Sequence, residues 1–320
     1  MKSVPELISE AMKQGKSRFA FEMLPPLKGD GFEKVTECVD SLIEFNPAYI
    51  NITCHRESTL PVTLSDGSVQ YHKVHQRPGT VGISSAIQRR YDITVVTHLI
   101  CAGNSKYDIE DQLIDFSYLG LDNVLALRGD KLRTENSFVP VENGYAYAVD
   151  VVRQIANLNR GKYVDFQSDH RFNFSIGVAG YPETHLDAES AEKDIENLKA
   201  KVDAGAQYIV TQLFYENKFF FDFVRRCREA GISVPIIPGI KPLSTVNHLT
   251  VLPKFFGCHI PEELEKEVLA HKDNSQAVRQ IGAEWAIAQS EELIAAGVPI
   301  LHYYPMGKAD NIISIAKKLF

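Results

Sequence analysis

Residues 123–130, NVLALRGD, decide the fold of this 320-residue chain. The apolar run Val124–Leu127 stops abruptly at Arg128-Gly129-Asp130, and a short apolar run that ends in a turn signal is typical of a strand buried on both faces. Ligands of parallel α/β folds bind at the carboxyl ends of such strands, which is where the glycine and the two charged residues stand. Taken alone, however, the octapeptide is better explained by an aspartate that caps a helix after a tight turn.

The rest of the chain alternates short apolar runs with segments of helical periodicity. We predict helices between successive strands, an extra helix at 4–14, and two or three helices within 245–296 before the last strand. This alternation predicts an α/β fold, a (β/α)8 TIM barrel formed as a single domain by residues 1–320. No GxGxxG motif follows the first strand, which disfavours a Rossmann domain. The predicted strands are 18–24, 49–54, 94–100, 123–130, 172–181, 208–214, 234–240 and 300–304.

Two stretches, 56–79 and 131–143, are predicted to have no regular structure. Both follow strand ends, and loops on that side of a barrel often carry function. Lys241, which follows the strand predicted at 234–240, is expected to be an exposed loop charge.

The composition excludes several classes of protein. Hydrophobic residues make up 44% of the chain and charged residues 23%, which is typical of a globular protein. A net charge of -7 gives no support for nucleic-acid binding. No apolar run approaches the roughly 20 residues that span a bilayer, and the amino terminus lacks a signal-peptide core. The five cysteines are scattered without metal-ligand spacing, so we expect a reduced, cytoplasmic protein without a metal site.

Six consecutive predicted strands end in a polar or ionisable side chain. One such residue is usually a core group with a hydrogen-bond partner, but six on the same rim are hard to explain by packing, because each buried polar group needs a partner. A shared polar ligand is the simpler explanation. In chain order the residues are Glu22, Thr53, His98, Arg128 with Asp130, Tyr181 and Gln212.

Glu22 is the candidate acid. Its neighbours in FAFEMLPP should desolvate the carboxyl, which raises its pKa and suits it to donate a proton near neutral pH. An ion pair with a nearby arginine or lysine is an equally good explanation. His98 is more often a hydrogen-bonded core residue than a ligand contact, whereas the amide of Gln212 needs several partners if it is buried.

One predicted helix carries polar residues at a spacing that places them on a common flank. Asp194, Asn197 and Lys201 are separated by three and four residues, so they lie beside the apolar stripe of that helix. Such a flank is usually only solvated. It can also hold the ribose or pyrophosphate of a dinucleotide.

The motifs at these positions resemble those of the methylenetetrahydrofolate reductases, the flavoprotein family that makes 5-methyltetrahydrofolate. The resemblance covers nearly the whole chain, and the motifs are specific in combination. Its length resembles the bacterial form, a catalytic barrel without a regulatory domain. The motifs are FEMLPP (21–26), THLICAG (97–103), NVLALRGD (123–130), VAGYPETHLDAES (178–190), ENLKAKVDAGAQYIVTQLFY (196–215), IIPGIKP (236–242) and GVPILHYY (297–304).

The resemblance implies a barrel that holds FAD noncovalently at its carboxyl rim. In a ping-pong reaction, NADH or NADPH would reduce the flavin, and flavin N5 would then pass a hydride to 5,10-methylenetetrahydrofolate. The product would supply methyl groups for methionine synthesis. The implied partners are these small molecules and further copies of the chain in a homo-oligomer, with neither nucleic acid nor membrane.

The resemblance also implies residue roles. Glu22 would be the general acid that protonates N10 of the folate and opens the methylene bridge to a 5-iminium cation. Asp130 would bond the pterin and tune the flavin through its charge. Substrate contacts would come from Glu22, Asp130, Gln212 and Lys308. Flavin contacts would come from Thr53, His98, Arg128, Gly129, Asp130, Tyr147, Ala148, Tyr181, His185, Asp194, Asn197 and Lys201.

The chain departs from the family pattern at two strand ends. Cys54-His55-Arg56 stands where many bacterial members have Tyr-Gly-Ala, and residues 305–308 read PMGK where the family often has Thr-Leu-Asn-Arg. Lys308 can replace the charge of that arginine but not its planar fork. His248 stands near the position at which bacterial relatives place a glutamine.

Three alternatives stay open from the sequence. One is another flavin-dependent barrel, similar to proline dehydrogenase, and another is a folate-binding barrel without activity. The third is a barrel lyase or aldolase, which a Schiff-base lysine at a strand end would favour. None of the predicted strands ends in a lysine.

Overall fold

The computed structural model describes residues 1–132, 135, 137–305 and 309–320. The strands in this part of the chain are β1 (Arg18–Met23), β2 (Ile50–Ile52), β3 (Ser58–Thr63), β4 (Val69–Val74), β5 (Val95–Ile100), β6 (Asn123–Leu127), β7 (Ser175–Gly180), β8 (Tyr208–Leu213), β9 (Ile236–Ile240) and β10 (Ile300–Tyr303). The helices are α1 (Val4–Gln14), α2 (Glu33–Ile43), α3 (Thr80–Tyr91), α4 (Lys106–Tyr118), α5 (Ala148–Leu158), α6 (Ala191–Ala204), α7 (Asn217–Glu229), α8 (His248–Phe256), α9 (Glu262–Ala270), α10 (Ser275–Ala295) and α11 (Asp310–Leu319).

Eight parallel strands close into a barrel in the order β1-β10-β9-β8-β7-β6-β5-β2, with β2 paired to β1. The predicted (β/α)8 architecture is therefore confirmed. The extra helices also lie where the sequence predicted them, because α1 precedes the first strand and α8, α9 and α10 precede the last. Among the described helices, none combines the length and the apolar character needed to cross a lipid bilayer.

Alternation along the strands builds two separate cores. Strand β6 illustrates this, since Val124 and Ala126 pack outward against the helices while Leu125 packs inside the barrel. Side chains of a strand point alternately to opposite faces, so both faces of β6 are buried and its sequence is apolar throughout. The inner core also contains Tyr49 and Tyr208, which are fully buried.

Helix α1 covers the amino-terminal end of the barrel. Its apolar residues Val4 and Ile8 belong to the inner core, and the Val4 amide donates to Oδ1 of Asn123 at the start of β6 over 2.9 Å. Ser3 caps the helix in a capping box with Glu6. With this end closed, the carboxyl ends of the strands form the accessible side of the barrel.

The prediction that residues 56–79 lack regular structure was wrong. Strands β3 and β4 pair as an antiparallel hairpin that stands apart from the barrel, as a separate two-stranded sheet. Asp66-Gly67 forms its turn, with Gly67 at a φ of 83° and Oδ1 of Asp66 accepting from the Ser68 amide over 2.9 Å. An Asp-Gly pair between β-branched residues is a hairpin signal, and it was legible in the sequence. Most of the side chains on both strands are exposed, so no apolar alternation marked either strand.

A glycine on β7 makes room for a buried tyrosine on β8. Gly177 pairs with Tyr208 in the sheet, and a Cβ added to Gly177 would lie 2.4 Å from the ring of Tyr208. The ring is fully buried, so it has little room to move away.

We therefore expect Gly177→Ala to lower the free energy of unfolding by about 1–3 kcal/mol, the usual cost of overpacking a core. Gly82→Ala on α3 is the matched control, because a Cβ there meets nothing within 4 Å. The control should gain about 0.5–1 kcal/mol from the helix preference for alanine. Urea unfolding measures both changes, and an unchanged stability of Gly177→Ala would show that the barrel interior is loosely packed.

Candidate active site

A cavity of about 1490 Å³ opens at the carboxyl ends of the barrel strands. This exceeds the roughly 300–1,000 Å³ that a single small ligand usually occupies, so there is room for two molecules side by side. Nine of the residues singled out from the sequence lie on its wall. They are Glu22, Thr53, His98, Arg128, Gly129, Asp130, Tyr181, His185 and Gln212.

Glu22 lies on β1, where it pairs in register with Asn51 of β2. Its side chain is 24% exposed, and Oε2 lies 3.7 Å from Nε2 of His98. Within the described residues, neither a lysine nor an arginine forms an ion pair with Glu22. The ion-paired alternative is therefore not what the structure shows.

Burial fixes the protonation states of Glu22 and His98. It raises the pKa of Glu22 to about 8 and, with His55 nearby, lowers the pKa of His98 to about 3. Near neutral pH, Glu22 therefore keeps its proton and His98 is uncharged. The Asn51 amide nitrogen can only donate, so its 3.1 Å contact makes Nε2 of His98 the acceptor and leaves the ring proton on Nδ1.

Asp130 stands on the rim beyond β6, on the far side of a glycine turn. Gly129 adopts a φ of 83°, and a Cβ there would lie 2.8 Å from the Cβ of Ala102, so the turn requires glycine. Asp130 caps no helix, because the next helix of the described chain, α5, begins at Ala148. The capping explanation of NVLALRGD is therefore wrong.

His55 lies between the rim residues of β2 and β6, and sequence reasoning missed it. Its Nε2 is 3.0 Å from Oγ1 of Thr53, and the charge of Asp130 acts on its ring. Burial and nearby Arg77 nevertheless lower the pKa of His55. Its position two residues after Thr53, in place of the family's Tyr-Gly-Ala, was the available signal.

A charged and aromatic group forms the wall beyond β6 and β7. Nη2 of Arg128 contacts Oδ2 of Asp187 at 2.7 Å, while the rings of Tyr181 and His185 meet edge to face with centroids 4.5 Å apart. The His185 amide donates to Oδ2 of Asp194 on α6 over 2.9 Å. These contacts hold the loop after β7 against α6.

Lys201 supports the same wall from behind. Its Nζ donates to the Ala179 carbonyl of β7 over 2.8 Å, and Ala179 lines the cavity. Burial lowers the pKa of Lys201 to about 8, although Asp194 opposes the shift. Asp194 and Lys201 are therefore bonded into the protein rather than simply solvated, whereas Asn197 on the same helix is exposed.

Besides Asp194 and Lys201, three predicted site residues of the described chain do not line the cavity. Tyr147 is 64% exposed, and Ala148 is the first residue of α5; neither lines the cavity as the structure describes it. The same holds for exposed Asn197. Lys308 lies outside the described residues.

Gln212 and Tyr304 close the side of the cavity formed by β8 and β10. Oε1 of Gln212 accepts from the Leu213 amide over 2.9 Å, and the residue lines the cavity. The Tyr304 hydroxyl donates to the Thr211 carbonyl over 2.7 Å. Gly239 permits this, because a Cβ there would lie 2.6 Å from the Tyr304 ring. Its neighbour Tyr303 packs in the outer core. Adjacent residues of a strand face opposite sides, so the alternation in the sequence predicts that only one of these two tyrosines faces the cavity.

The expectation that Lys241 is an exposed loop charge was wrong. Only 3% of the residue is exposed. It directly follows β9 and lines a second, smaller cavity behind Tyr304, not the cavity that holds Glu22. A lysine at a strand end but away from the acid gives no support to the lyase alternative.

The chain is similar to known proteins over nearly its whole length. The family description "Methylenetetrahydrofolate reductase" matches residues 7–320. Over 326 residues the chain is 35% identical to "Methylenetetrahydrofolate reductase (NADH) 1" of Arabidopsis thaliana, covering 99% of this chain and 50% of the plant protein. The chain belongs to the methylenetetrahydrofolate reductase family. It spans about half the length of the plant relatives that it matches.

Other relatives of this methylenetetrahydrofolate reductase family member are shorter or more distant. The "5,10-methylenetetrahydrofolate reductase" of Escherichia coli (strain K12) is 28% identical, and the match covers 97% of this chain and 93% of that protein. A solved structure described as an uncharacterized protein from Clostridium thermocellum that binds two copies of 5-methyl-5,6,7,8-tetrahydrofolic acid has a TM-score of 0.56 at 15% identity. It covers 97% of this chain and 98% of its own, and at that identity it shows the shared fold alone.

The raised pKa of Glu22 predicts a pH-dependent stability. In the unfolded chain Glu22 ionises near 4.5, the ordinary pKa of a glutamate, whereas the folded chain holds the proton until about pH 8. Folding is therefore progressively penalised as the pH rises through this window. Glu22→Gln removes the penalty, so its stability relative to wild type should grow by on the order of 3–4 kcal/mol between pH 5 and pH 8.

Urea unfolding at both pH values measures this difference. Glu263→Gln, at an exposed position on α9, controls for loss of a carboxylate. If the two variants showed the same pH dependence, Glu22 would not be a desolvated acid.

Proposed function

We propose that the chain is an FAD-dependent methylenetetrahydrofolate reductase, which reduces 5,10-methylenetetrahydrofolate to 5-methyltetrahydrofolate with electrons from NADH or NADPH. One observation carries the proposal: Glu22, Asp130 and Gln212 line the same cavity. Burial raises the pKa of Glu22 to about 8, which favours the protonated acid at neutral pH. Family membership supports the reaction. The cytoplasmic location, the homo-oligomer and the supply of methyl groups for methionine synthesis stay predictions.

The cavity residues fit a flavin dinucleotide. Arg128 and His185 offer donors for phosphate or ribose oxygens, and Gly129 supplies the left-handed turn that follows Arg128 at the cavity wall. His98 on the neighbouring strand β5 and Thr53 after β2 also line the cavity. The volume leaves space beside a flavin for one further molecule, as expected if the nicotinamide and the folate bind in turn. When bound, FAD would supply the hydride chemistry that no side chain provides.

Glu22 is proposed as the proton donor. Loss of the N10 amine from the methylene bridge requires a proton on that nitrogen, and a carboxyl that is still protonated at neutral pH can give it. His98 cannot take the proton in advance, because burial lowers its own pKa to about 3. The hydrogen bond from Asn51 holds the His98 ring beside the acid. The two buried groups thus keep the proton on Glu22 until substrate arrives.

Asp130 and Gln212 are proposed to orient the substrate. A carboxylate at the rim accepts from ring N–H donors of a pterin and stabilises positive charge that develops on the folate. Oε1 of Gln212 already accepts from the Leu213 amide, so its amide nitrogen is the group proposed to donate to the substrate. The acid, the carboxylate and the amide come from three different strands.

We propose no preference between NADH and NADPH as the electron donor. The Arabidopsis thaliana relative is named for NADH, whereas a Caenorhabditis elegans relative that is 31% identical is named "Probable methylenetetrahydrofolate reductase (NADPH)".

Anaerobic mixing of the purified, FAD-loaded protein with each nicotinamide, followed by methylenetetrahydrofolate, tests the function directly. Bleaching of the flavin absorbance by the nicotinamide and its return with the folate are expected. A protein that binds no FAD would contradict the proposal.

Glu22→Gln should separate the two half-reactions. Reduction of the flavin by the nicotinamide needs no acid, so its rate should change by less than about threefold, whereas folate reduction should fall by about 10²–10⁴-fold, the usual contribution of a general acid. Stopped-flow absorbance measures each half-reaction, with Glu263→Gln as the control. Equal loss in both would assign Glu22 a role in binding flavin instead.

Asp130→Asn should raise the flavin reduction potential, because a nearby negative charge disfavours extra negative charge on a reduced ring. A screened Coulomb interaction of about 1–2 kcal/mol corresponds to roughly 20–40 mV for a two-electron couple. A redox titration with reference dyes measures the shift. The control is Asp273→Asn, an exposed residue between α9 and α10. A potential that does not move would place Asp130 away from the flavin.

A further inference from the structure

A second cavity, of about 270 Å³, lies behind Tyr304 between β9, α8, α10 and the start of α11. It is smaller than the roughly 300–1,000 Å³ of a complete ligand site, so it suits one group of a larger molecule. Tyr304 lines both this cavity and the large one. The two cavities are therefore neighbours on either side of Tyr304.

The wall of this cavity carries a buried cation, Lys241, of which only 3% is exposed to solvent. The one hydrogen bond that its Nζ makes among the described residues is to the carbonyl of its own neighbour Pro242, at 3.3 Å. No carboxylate forms an ion pair with Lys241 in that part of the chain. A buried charge without a counterion is costly, and proteins seldom keep one without a use for it.

The other polar groups on the wall set the charge that a ligand should carry. Arg279 of α10 adds a second positive charge, and Asp310 of α11 adds one negative charge. His248 of α8 is uncharged near neutral pH, because burial and the charge of Lys241 lower its pKa to about 4. The wall therefore carries one net positive charge. One carboxylate group inside the cavity neutralises it, whereas a doubly charged phosphate there leaves an excess of negative charge beside Asp310.

We propose that this cavity is a carboxylate-binding subsite in which Lys241 is the principal anion-binding group and Arg279 is the second. Resting on the proposed function, the carboxylate is one of the two at the glutamyl end of the folate substrate, which reaches the subsite past Tyr304. A free carboxylic acid is the other source of the same chemistry. The role of Lys241 is thus to select folates that carry an ionised tail.

Burial lowers the pKa of Lys241 to about 8, which agrees with this assignment. The amine is charged below that pH, and a bound carboxylate would favour the charged form further. The titratable or charged groups that share the cavity wall with it are His248, Arg279, Tyr304 and Asp310.

The binding test uses the full, FAD-loaded chain and N-(4-aminobenzoyl)-L-glutamate, a probe that carries the tail without the pterin. Lys241→Met should weaken binding of this probe by about tenfold or more, the usual loss for a charge-assisted hydrogen bond, and Arg279→Gln by a smaller factor. The diamide of the probe should bind Lys241→Met and wild type equally. Lys254→Met, at an exposed position on α8, is the matched control. Equal binding of acid and diamide to wild type would overturn the subsite.

Competition identifies the source of the carboxylate. Glutarate that displaces the probe with comparable affinity supports the subsite but assigns it to free acids. Failure of glutarate to compete assigns it to the substrate tail. Displacement by inorganic phosphate at least as strong as that by the acids would contradict a carboxylate site.

Thermal unfolding distinguishes a ligand-binding lysine from a structural one, because replacing Lys241 should change the unfolding midpoint in opposite directions in the two cases. Removing an uncompensated buried charge should raise the midpoint of thermal unfolding of Lys241→Met by a few degrees, while the same variant loses probe affinity. A lower midpoint, or a variant that does not fold, would show that Lys241 has a structural partner and would overturn the proposal.

The two proposals can fail separately. If the protein reduces no methylenetetrahydrofolate but binds the probe through Lys241, the subsite stands and the reductase function fails. If it is a reductase, Lys241→Met should raise KM for the folate about tenfold with kcat little changed, because the tail contributes binding that is equal in the ground and transition states. If the protein is a reductase but Lys241→Met changes neither probe binding nor KM for the folate, the reductase function stands and the subsite is refuted.

Discussion

The carboxyl of Glu22, desolvated at the end of β1 with no cationic partner among the described residues, is the constraint on which the site depends. A carboxylate in that position would be a buried, uncompensated charge, so the group keeps its proton. Burial also disfavours the charged form of His98, and for a histidine this lowers the pKa, so the ring is neutral. Two titratable groups 3.7 Å apart are thereby both neutral at the pH where each would normally be at least partly charged. Glu22 therefore remains a protonated acid, because the neighbouring His98 does not accept its proton.

The barrel makes this environment possible because alternation sends successive residues of each strand to different cores. The outer core joins strands to helices and is almost wholly apolar, whereas the inner core carries the polar rim at its carboxyl end. Helix α1 closes the other end of the inner core. Solvent therefore reaches the rim from one side only, and the polar groups there are partly desolvated without being sealed off.

Two lysines, Lys201 and Lys241, have different roles because their partners differ. Lys201 and Lys241 both have a pKa lowered to about 8 by burial. Lys201 is held by the Ala179 carbonyl and lies close enough to Asp194 for its charge to be stabilised, which makes it part of the wall. Lys241 forms no ion pair among the described residues and faces a cavity whose wall also carries Asp310. The difference lies in the partners, which depth of burial alone does not reveal.

The sequence by itself determined the barrel, because eight apolar runs alternating with helical periodicity leave few other ways to bury both faces of every strand. It also determined which strand ends carry polar groups, since Glu22, His98 and Gln212 interrupt runs that are otherwise apolar. Only the tertiary structure decided their neighbours. Asn51 beside His98 and the inward turn of Lys241 depend on strand register and on which elements pack over the rim, and these contacts join residues far apart in the chain. Local sequence reports the preference of each segment, whereas desolvation and charge compensation are properties of the assembled barrel.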